Sequence, residues 1–483
     1  MMGTKQKLLR SMSWSLLDKL INQVGFMFVS LYIARIIGPA SYGMIGLLTI
    51  FVTLSECILS GFSQALVQKS YEVTEDDCST AFYINLIWAC LFYIILYCSA
   101  PYIAQFYKLP ELTFVARVLF LVVFVNSLMV VFRAKLIINL DFKGQAFAAT
   151  FASILSAILA IYLVNSGYGY WAIVAIILSK QIIILIFLFF YTKWYPSWRF
   201  SKRSFISLFQ FGSYLMFAGI IATIMNNLSI MLIGRFFNVT QVGYFAQANN
   251  MSSQLSELIG STLQGVTYPL MASVKKERER LIFIYKKLIS LASFISFPLL
   301  VGLAAIADEV ILLLLGKEWQ SVAPLLTALC LSMVATPISG VNMNILKAIG
   351  RSDLFLKIDL IKIPMILIAI IGSIPFGINV LAYTMIFTSI IAFFINTYYP
   401  NKLFDFGAVK QLKVVKNYII GALIMFLVLK LIAISINYLI LLILFKVLIG
   451  AIVYMLFLWV VKDKLFIECL SEVSRLAKKM MNK

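Results

Sequence analysis

The chain has 483 residues, of which 62% are hydrophobic and 12% are charged, and its formal net charge is +20. This apolar content exceeds what a soluble core of this length needs, and it suffices for about fourteen membrane-spanning helices of about 20 residues each. It excludes a disordered chain, and cytoplasmic loops against an anionic membrane surface explain the positive charge better than nucleic-acid binding does.

The N-terminal apolar run is predicted to remain in the protein as the first span. Basic residues precede it, as in a signal peptide, but the run contains Asp18, Asn22 and Gln23 and has no small-residue cleavage site. Apolar stretches between loop signals then predict fourteen spans. They lie near residues 14–37, 44–66, 80–106, 113–134, 146–164, 170–191, 211–234, 244–270, 288–314, 322–346, 354–374, 379–399, 416–436 and 439–461.

Basic residues are distributed unevenly over the loops between these spans. Thirty of the 40 Lys and Arg residues fall in the two tails and in alternate loops, whereas the remaining loops contain only Arg35, Lys108, Arg235 and Lys317. Because cytoplasmic loops retain positive charge, both termini are predicted to be cytoplasmic. The exception is the first inner loop, which contains Glu72, Glu75, Asp76 and Asp77.

Several features argue against catalysis and metal binding. The chain has no histidine, which removes the commonest general base and the commonest metal ligand. Its six cysteines form no CxxC pair and are predicted to be small core residues. No loop exceeds about 20 residues, so no soluble catalytic domain fits. The chain is therefore predicted not to be an enzyme and to hold no metal.

Two segments 200 residues apart resemble each other. The first span ends with Ala34-Arg35-Ile36-Ile37-Gly38, the seventh with Gly234-Arg235-Phe236-Phe237-Asn238, and Gly43 matches Gly243 at the same shift. Six spans separate the copies, so they point the same way through the bilayer; transporters with such parallel repeats place the substrate path between the halves. The alternative is chance resemblance of two apolar segments. The repeat predicts two six-helix bundles, 1–205 and 206–400, followed by two additional helices and a basic tail in 401–483.

Two repeat-related spans each contain a polar stripe, because spacings of three and four keep residues on one side of a helix. In span eight the stripe consists of Gln247, Asn250, Gln254, Glu257, Ser261 and Gln264, and in span two of Gly46, Thr49, Thr53, Glu56, Ser60 and Ser63. A carboxylate facing lipid costs about 3 kcal/mol, so both stripes must face protein or water. Interhelical hydrogen bonds would explain span two apart from Glu56, whereas the amides and Glu257 of span eight favour a water-filled cavity.

Other polar residues inside the spans are candidates for pairing or for the same cavity. Asp359 and Lys362 are three residues apart and are predicted to pair, whereas Arg117, Lys430 and Lys446 lie close enough to span ends to reach the interface. Lys180 lies near mid-span and is the better candidate for meeting an anionic ligand. The predicted cavity-lining residues are Asn22, Gln23, Arg35, Glu56, Lys180, Asn226, Asn227, Arg235, Gln247, Asn250, Gln254 and Glu257.

A set of short motifs follows the chain in a specific order. They are Ala34-Arg35-Ile36-Ile37-Gly38-Pro39-Ala40-Ser41-Tyr42-Gly43, Leu140-Asp141-Phe142-Lys143, Gly167-Tyr168-Gly169-Tyr170-Trp171-Ala172, Pro298-Leu299-Leu300-Val301-Gly302-Leu303, Leu315-Gly316-Lys317-Glu318-Trp319 and Ala348-Ile349-Gly350-Arg351. Each is weak alone, but together they cover nearly the whole chain. In these motifs the chain resembles the Wzx-type polysaccharide exporters of the multidrug/oligosaccharidyl-lipid/polysaccharide (MOP) superfamily.

The resemblance implies an all-α membrane fold of two pseudo-symmetric bundles, similar to that of multidrug and toxin extrusion transporters, around a cavity lined largely by spans one, two, seven and eight. It also implies a location in a bacterial inner membrane and a substrate consisting of an O-antigen, capsule or exopolysaccharide repeat unit on undecaprenyl diphosphate. Expected partners are this lipid-linked oligosaccharide, membrane lipids and the polysaccharide polymerase machinery, without nucleic acid.

The expected activity is flipping of this substrate from the cytoplasmic to the periplasmic leaflet by alternating access. Glu56 and Glu257 cannot attract a diphosphate, so they are expected to carry a coupling proton or Na+, or to bind Lys or Arg partners. A multidrug or toxin exporter of the same superfamily is the main alternative. A membrane-embedded glycan polymerase or acyltransferase is the alternative of a different class.

Overall fold

The computed structural model describes residues 4–69, 72–139, 141–274, 277–432 and 438–471 of the chain. Within these ranges, the side chains at 4–24, 26, 142, 264–266, 268, 269, 272, 352, 355 and 356 lie outside the described part. The described residues form helices and turns, without a strand. The all-helical class predicted from the apolar runs is therefore confirmed.

Sixteen α-helices follow one another along the described chain. They are α1 (Thr4–Lys69), α2 (Glu75–Tyr107), α3 (Leu112–Leu119), α4 (Val122–Ile138), α5 (Phe142–Asn165), α6 (Trp171–Thr192), α7 (Lys202–Phe236), α8 (Val239–Ser273), α9 (Arg278–Ala305), α10 (Ala307–Leu314), α11 (Val322–Met333), α12 (Thr336–Ala348), α13 (Ser352–Ser373), α14 (Ile378–Phe404), α15 (Ala408–Leu431) and α16 (Leu439–Val460).

The described helices accommodate the fourteen predicted spans. Twelve helical segments are long and apolar enough to cross a membrane. The first of them, Met27–Lys69, contains a break at Gly38, where φ is 77°, and so holds predicted spans one and two. The 35-residue helix α8 is not among the twelve and corresponds to predicted span eight, which carries the polar stripe. The prediction of about fourteen spans is therefore confirmed.

Spans four and ten, which the repeat predicts to be equivalent, are both broken into two helices. Span four divides into α3 and α4, and span ten into α11 and α12. In span ten, Pro337 lies in the first turn of α12. Proline lacks the amide hydrogen that would continue the preceding helix, so α12 starts anew there. The matching breaks support an internal repeat with a period of six spans.

The chain divides into two compact units, Met1–Gly243 and Tyr244–Lys483. These units are defined by compactness, whereas the predicted bundles are defined by the repeat. The predicted boundaries at 205 and 400 therefore stay a prediction.

Within the first unit, the two repeat-related glycines lie against each other's neighbouring backbone. A Cβ atom on Gly43 would collide with the carbonyl oxygen of Val239, and a Cβ atom on Gly243 would collide with that of Pro39. Both positions therefore need glycine, because any side chain would push the two backbones apart.

Two of the four carboxylates of the acidic first inner loop are neutralised by the residues around them. Glu75 accepts hydrogen bonds from Lys135 Nζ at 2.8 Å and from Trp194 Nε1 at 2.6 Å, and Asp77 pairs with Lys69 at 3.0 Å. The carboxylates therefore bind neighbouring cations and an indole, which explains how acidic residues come to lie in an otherwise basic set of loops.

Within the second unit, ion pairs attach the last two helices to α10. Lys446 of α16 donates to Glu309 at 2.5 Å and Lys430 of α15 donates to Asp308 at 2.9 Å, and both carboxylates belong to the first turn of α10. The Lys446 side chain is only 6% exposed. Acidic residues distant in sequence therefore compensate both lysines, and the predicted reach of Lys430 and Lys446 to the membrane interface stays a prediction.

Replacement of Lys446 by Met should lower the free energy of unfolding by about 3 kcal/mol or more, because it leaves the largely buried Glu309 without its counter-charge. The double variant K446M/E309Q should recover most of that loss. The measurement is unfolding of the purified protein in mixed micelles by SDS titration. The matched control is K430M, whose exposed ion pair should contribute about 1 kcal/mol or less. An equal loss of stability in K430M and K446M would contradict the prediction that the buried pair contributes more.

Candidate functional site

The accessible side of α8 is polar. Asn250 and Glu257 are exposed, and Gln254 and Ser261 are half-buried, while the apolar residues beside them are largely covered. Among the described side chains of α8, no large apolar one is exposed before Leu270, near the end of the helix. A helix that faces lipid shows the opposite pattern, so this side of α8 faces water or polar groups.

The second arm of α1, residues 39–69, shows the same pattern. Thr53 and Glu56 are exposed there, as are Gln64 and Gln68. Large exposed apolar side chains are absent from the described residues between Ile36 and Ile87. Two of the exposed or half-exposed α8 residues match exposed α1 residues at the shift of 201 that the repeat predicts, since Thr53 corresponds to Gln254 and Glu56 to Glu257.

Glu56 belongs to a polar network inside the first unit. Asn126 of α4 donates from Nδ2 to Glu56 Oε1 at 3.3 Å, and the Arg133 guanidinium lies near enough to interact electrostatically with the carboxylate. Arg133 in turn donates to Oε1 of Gln181 in α6 at 3.2 Å. The charge of Glu56 is therefore compensated by two residues of α4, one of which is held in turn by α6.

Glu257 differs from its repeat equivalent. It makes no hydrogen bond and no ion pair within the ranges that the structure describes, and its half-enclosed carboxylate lies on an accessible polar face. A carboxylate without a built-in counter-charge is a suitable position for an exchangeable proton or cation.

The remaining predicted residues take up varied positions. Gln247 is buried at 2% exposure, whereas Asn226 is exposed and Asn227 donates to the carbonyl of Thr223 within its own helix at 2.9 Å. Lys180 of α6 is half-buried beside Gln181. The predicted residues whose side chains lie outside the described part are Asn22, Gln23 and Gln264.

The two repeat-related arginines lie at the ends of their helices and are exposed. Arg235 donates from Nη1 to the carbonyl oxygen of Phe106 at 3.2 Å, and its guanidinium lies 5.0 Å from the centre of the Phe106 ring. This contact ties the end of α7 to the end of α2. Arg35 is exposed at the end of the first arm of α1. The cavity-lining role of both arginines stays a prediction.

Two of the network residues were not recognised in the sequence. Arg133 lies close to the end of its span and is one of the thirty basic residues that the charge bias assigns to the inner segments. Asn126 precedes it by seven residues, which puts both on one face of α4. That spacing of an amide and a cation inside one span is the signal that could have found them.

A close-packed seam runs between the second arm of α1 and α7 within the first unit. A Cβ atom on Gly61 would lie 2.7 Å from the carbonyl oxygen of Gly212, and one on Gly212 would lie 2.9 Å from that of Gly61. Further along α7, Cys57 Sγ of α1 lies 3.0 Å from Thr223 Oγ1. Small residues let the two backbones approach closely over at least three helical turns.

The polar face of α8 can bind hydrophilic groups. Amides donate and accept hydrogen bonds with hydroxyl groups, and the carboxylate of Glu257 can take up a proton or cation. No group of three or more His, Cys, Asp or Glu residues that could hold a metal ion occurs in the described parts of the chain. Binding and passage of a polar ligand are what this arrangement allows chemically.

The chain is similar to solved structures of transporters. It matches the lipid II flippase MurJ in an inward closed conformation with a TM-score of 0.74, at 15% identity, over 95% of this chain and 99% of that one. An inward-facing MATE family multidrug resistance transporter of the MOP superfamily matches with a TM-score of 0.62, at 16% identity, over 83% of this chain and 99% of that one. The predicted MOP flippase fold is therefore confirmed.

Relatives by sequence are named for surface polysaccharides. TuaB, a teichuronic acid biosynthesis protein of Bacillus subtilis, is 27% identical over 297 residues, which are 61% of either chain. ExoT, the succinoglycan biosynthesis transport protein of Rhizobium meliloti, is 25% identical over 76% of this chain and 74% of its own. WzxC, a lipopolysaccharide biosynthesis protein of Escherichia coli, is 24% identical over 75% of this chain and 74% of its own.

These relatives and structures agree with the many apolar helices in describing a multi-pass membrane protein. A protein-family model also matches the sequence of this chain. The model of the polysaccharide biosynthesis protein family matches residues 32–324, well over half of the chain, and the chain therefore belongs to that family.

Proposed function

We propose that this chain flips undecaprenyl-diphosphate-linked oligosaccharide repeat units of O-antigen, capsule or exopolysaccharide from the cytoplasmic to the periplasmic leaflet. The observation that carries the proposal is the polar accessible face of α8, repeated in the second arm of α1. Such faces would be costly against hydrocarbon, and a path for a hydrophilic headgroup needs them. Family membership and the names of ExoT and WzxC support the same substrate class.

The chemistry of the cargo fits the residues available. A lipid-linked oligosaccharide has a sugar part that cannot cross hydrocarbon unaided and a polyprenyl tail that can stay in lipid. Asn250 and Gln254 offer amides to sugar hydroxyls. A cation must neutralise the diphosphate, and Lys180, Arg35 and Arg235 are the candidates for that role.

The proposed orientation places both termini in the cytoplasm of a bacterium with the protein in the inner membrane. Its support is the excess of Lys and Arg in the tails and alternate loops. The polysaccharide polymerase machinery would receive the flipped repeat unit on the other side and is the proposed protein partner.

Export of cationic drugs is the second candidate function. The observations that favour it are the similarity to the MATE family transporter and the exposed carboxylate of Glu257, which would attract cations. One experiment distinguishes the two candidate functions. A flippase restores surface glycan in a strain that lacks its own flippase, whereas a drug exporter raises drug resistance without restoring glycan. Product formation by the purified protein would favour a polymerase or acyltransferase instead.

Replacing the two amides of the stripe by leucine, N250L/Q254L, should slow translocation about 30-fold, because two hydrogen bonds to the cargo at about 1 kcal/mol each are lost. The measurement is lectin-accessible glycan appearing on vesicles that contain the purified protein and the lipid-linked oligosaccharide. The control on the same helix is T262A, which removes an exposed hydroxyl outside the stripe. Equal rates in N250L/Q254L and T262A would exclude the stripe from the path.

We further propose that translocation is coupled to a proton or Na+ at Glu257. The repeat supplies a matched comparison, because Glu56 already has Asn126 and Arg133 as partners and Glu257 has no ion pair in the described chain. The expected result is that E257Q transports at a rate independent of an imposed pH or Na+ gradient. E56Q should keep its gradient dependence. Undiminished, gradient-driven flipping in E257Q would remove this residue from the mechanism.

Alternating access predicts that the seam between α1 and α7 must open during transport. Thr223→Cys places a thiol next to the native Cys57, since the two side chains already approach to 3.0 Å. Oxidation should form a disulfide and reduce translocation to background, and a reductant should restore it. C57S/T223C, which cannot form this bond, should be insensitive to oxidation. Full activity of the cross-linked protein would show that the seam stays closed.

A further inference from the structure

A concavity of about 470 Å³ lies in the second unit, where the first turns of α9, the first half of α15 and the chain after α16 meet. It is separate from the polar stripes. Its walls combine lysine side chains with the apolar side chains of Phe283, Val414 and Leu465. The site is thus both cationic and partly apolar, at the ends of membrane-spanning helices.

The local sequence after α16 builds one side of this concavity. Lys462 adopts a left-handed conformation with φ of 52°, which ends α16 and turns the chain. Asp463 then starts the next helical turn, since its Oδ1 accepts from the Phe466 amide at 3.2 Å. The same carboxylate accepts from Tyr418 Oη at 3.1 Å and from Asn417 Nδ2 at 3.3 Å. Asp463 is 8% exposed, so this anchor fixes the segment firmly against α15.

The charges around the concavity do not balance. Four lysines line it, against the carboxylates of Asp463 and Glu468. Glu468 pairs with Lys287 at 2.6 Å, and Asp463 is bound by neutral donors. The ammonium groups of Lys462 and Lys464 have no ion pair in the part of the chain that is described. Both are exposed and lie on either side of the fixed Asp463, so the concavity has an excess of positive charge.

We propose that this concavity binds the headgroup of an anionic phospholipid, with its phosphate between Lys462 and Lys464. Basic pockets at the cytoplasmic ends of membrane helices attract anionic headgroups by about 1 kcal/mol per lysine. Phe283, which is 65% exposed beside the pocket, supplies an apolar surface for the first part of an acyl chain. A soluble anion would make no use of these apolar walls, which favours a lipid as the source of the phosphate.

The bound lipid would link two segments that carry like charges. Lys286 on α9 and Lys462 and Lys464 after α16 repel one another across the concavity, and an anion between them removes that repulsion. Because the lipid would bind the folded protein, it should also raise the temperature at which this protein unfolds.

The test uses the full-length protein in a neutral detergent, titrated with phosphatidylglycerol or with phosphatidylcholine. Phosphatidylglycerol should raise the unfolding temperature of the wild type, and native mass spectrometry should show the lipid retained. In K462Q/K464Q, the phosphatidylglycerol concentration that gives half of the rise in unfolding temperature should be about 30-fold higher. The matched control is K202Q/R203Q, which removes two exposed positive charges from the start of α7, at the same predicted membrane face, and should behave as the wild type.

Three outcomes would overturn the proposal. They are an unchanged affinity of K462Q/K464Q for phosphatidylglycerol, an equal effect of phosphatidylcholine on the wild type, and displacement of the lipid by inorganic phosphate at equal concentration. The unfolding temperature without added lipid shows whether each variant is folded. The readout is lipid binding, so its outcome does not depend on whether the chain is a flippase.

Discussion

Hydrocarbon tolerates a polar group only where that group is hydrogen-bonded, ion-paired or turned toward water, and most features of this chain follow from that constraint. The helix α16 satisfies this constraint with apolar side chains on its accessible side, where Leu448 and Ile452 are 62% and 60% exposed. The helix α8 does the reverse, with its apolar side chains covered and Asn250 and Glu257 accessible. Such a helix can remain in a membrane only if water or a polar cargo reaches its open side.

The same constraint separates the charged side chains inside the spans into those that have a partner in the described chain and those that have none. Lys446 is paired with Glu309, and Asp359 is paired with Lys362 at 2.7 Å, which confirms the pairing predicted from their spacing. Glu56 is held by an amide and a nearby guanidinium. Charges compensated in this way are fixed parts of the fold. The carboxylate of Glu257 is compensated by nothing in the described chain, so its charge can depend on what binds, and the proposed coupling needs that dependence.

The sequence alone predicts those features that repeat at short range. The number of spans and the polar stripe on α8 follow from hydropathy and from spacings of three and four, and Asp359 and Lys362 are near neighbours. The partners of Glu56 could not be predicted, because Asn126 lies 70 residues away in sequence. Lys446 and Glu309 are 137 residues apart, and their pairing depends on the tertiary packing of α10 against α16. Long-range pairing is decided by packing, which one sequence does not encode in a local pattern.

The two repeats keep their geometry and differ in their chemistry. Gly43 and Gly243 are both glycine because neither backbone has room for a side chain. The stripes are less alike: Thr49 and Thr53 donate their hydroxyl hydrogens to carbonyls of their own helix, at 2.7 and 3.0 Å.

The α8 stripe instead carries amides at the equivalent positions 250 and 254, and each amide offers two donors and two acceptor sites. An amide has more hydrogen-bonding groups than a hydroxyl, so the α8 stripe has more donors and acceptors per residue than the α1 stripe. A cargo with sugars at one end and a diphosphate at the other is itself asymmetric. Two stripes that differ in this way would bind the sugar end of the proposed cargo unequally.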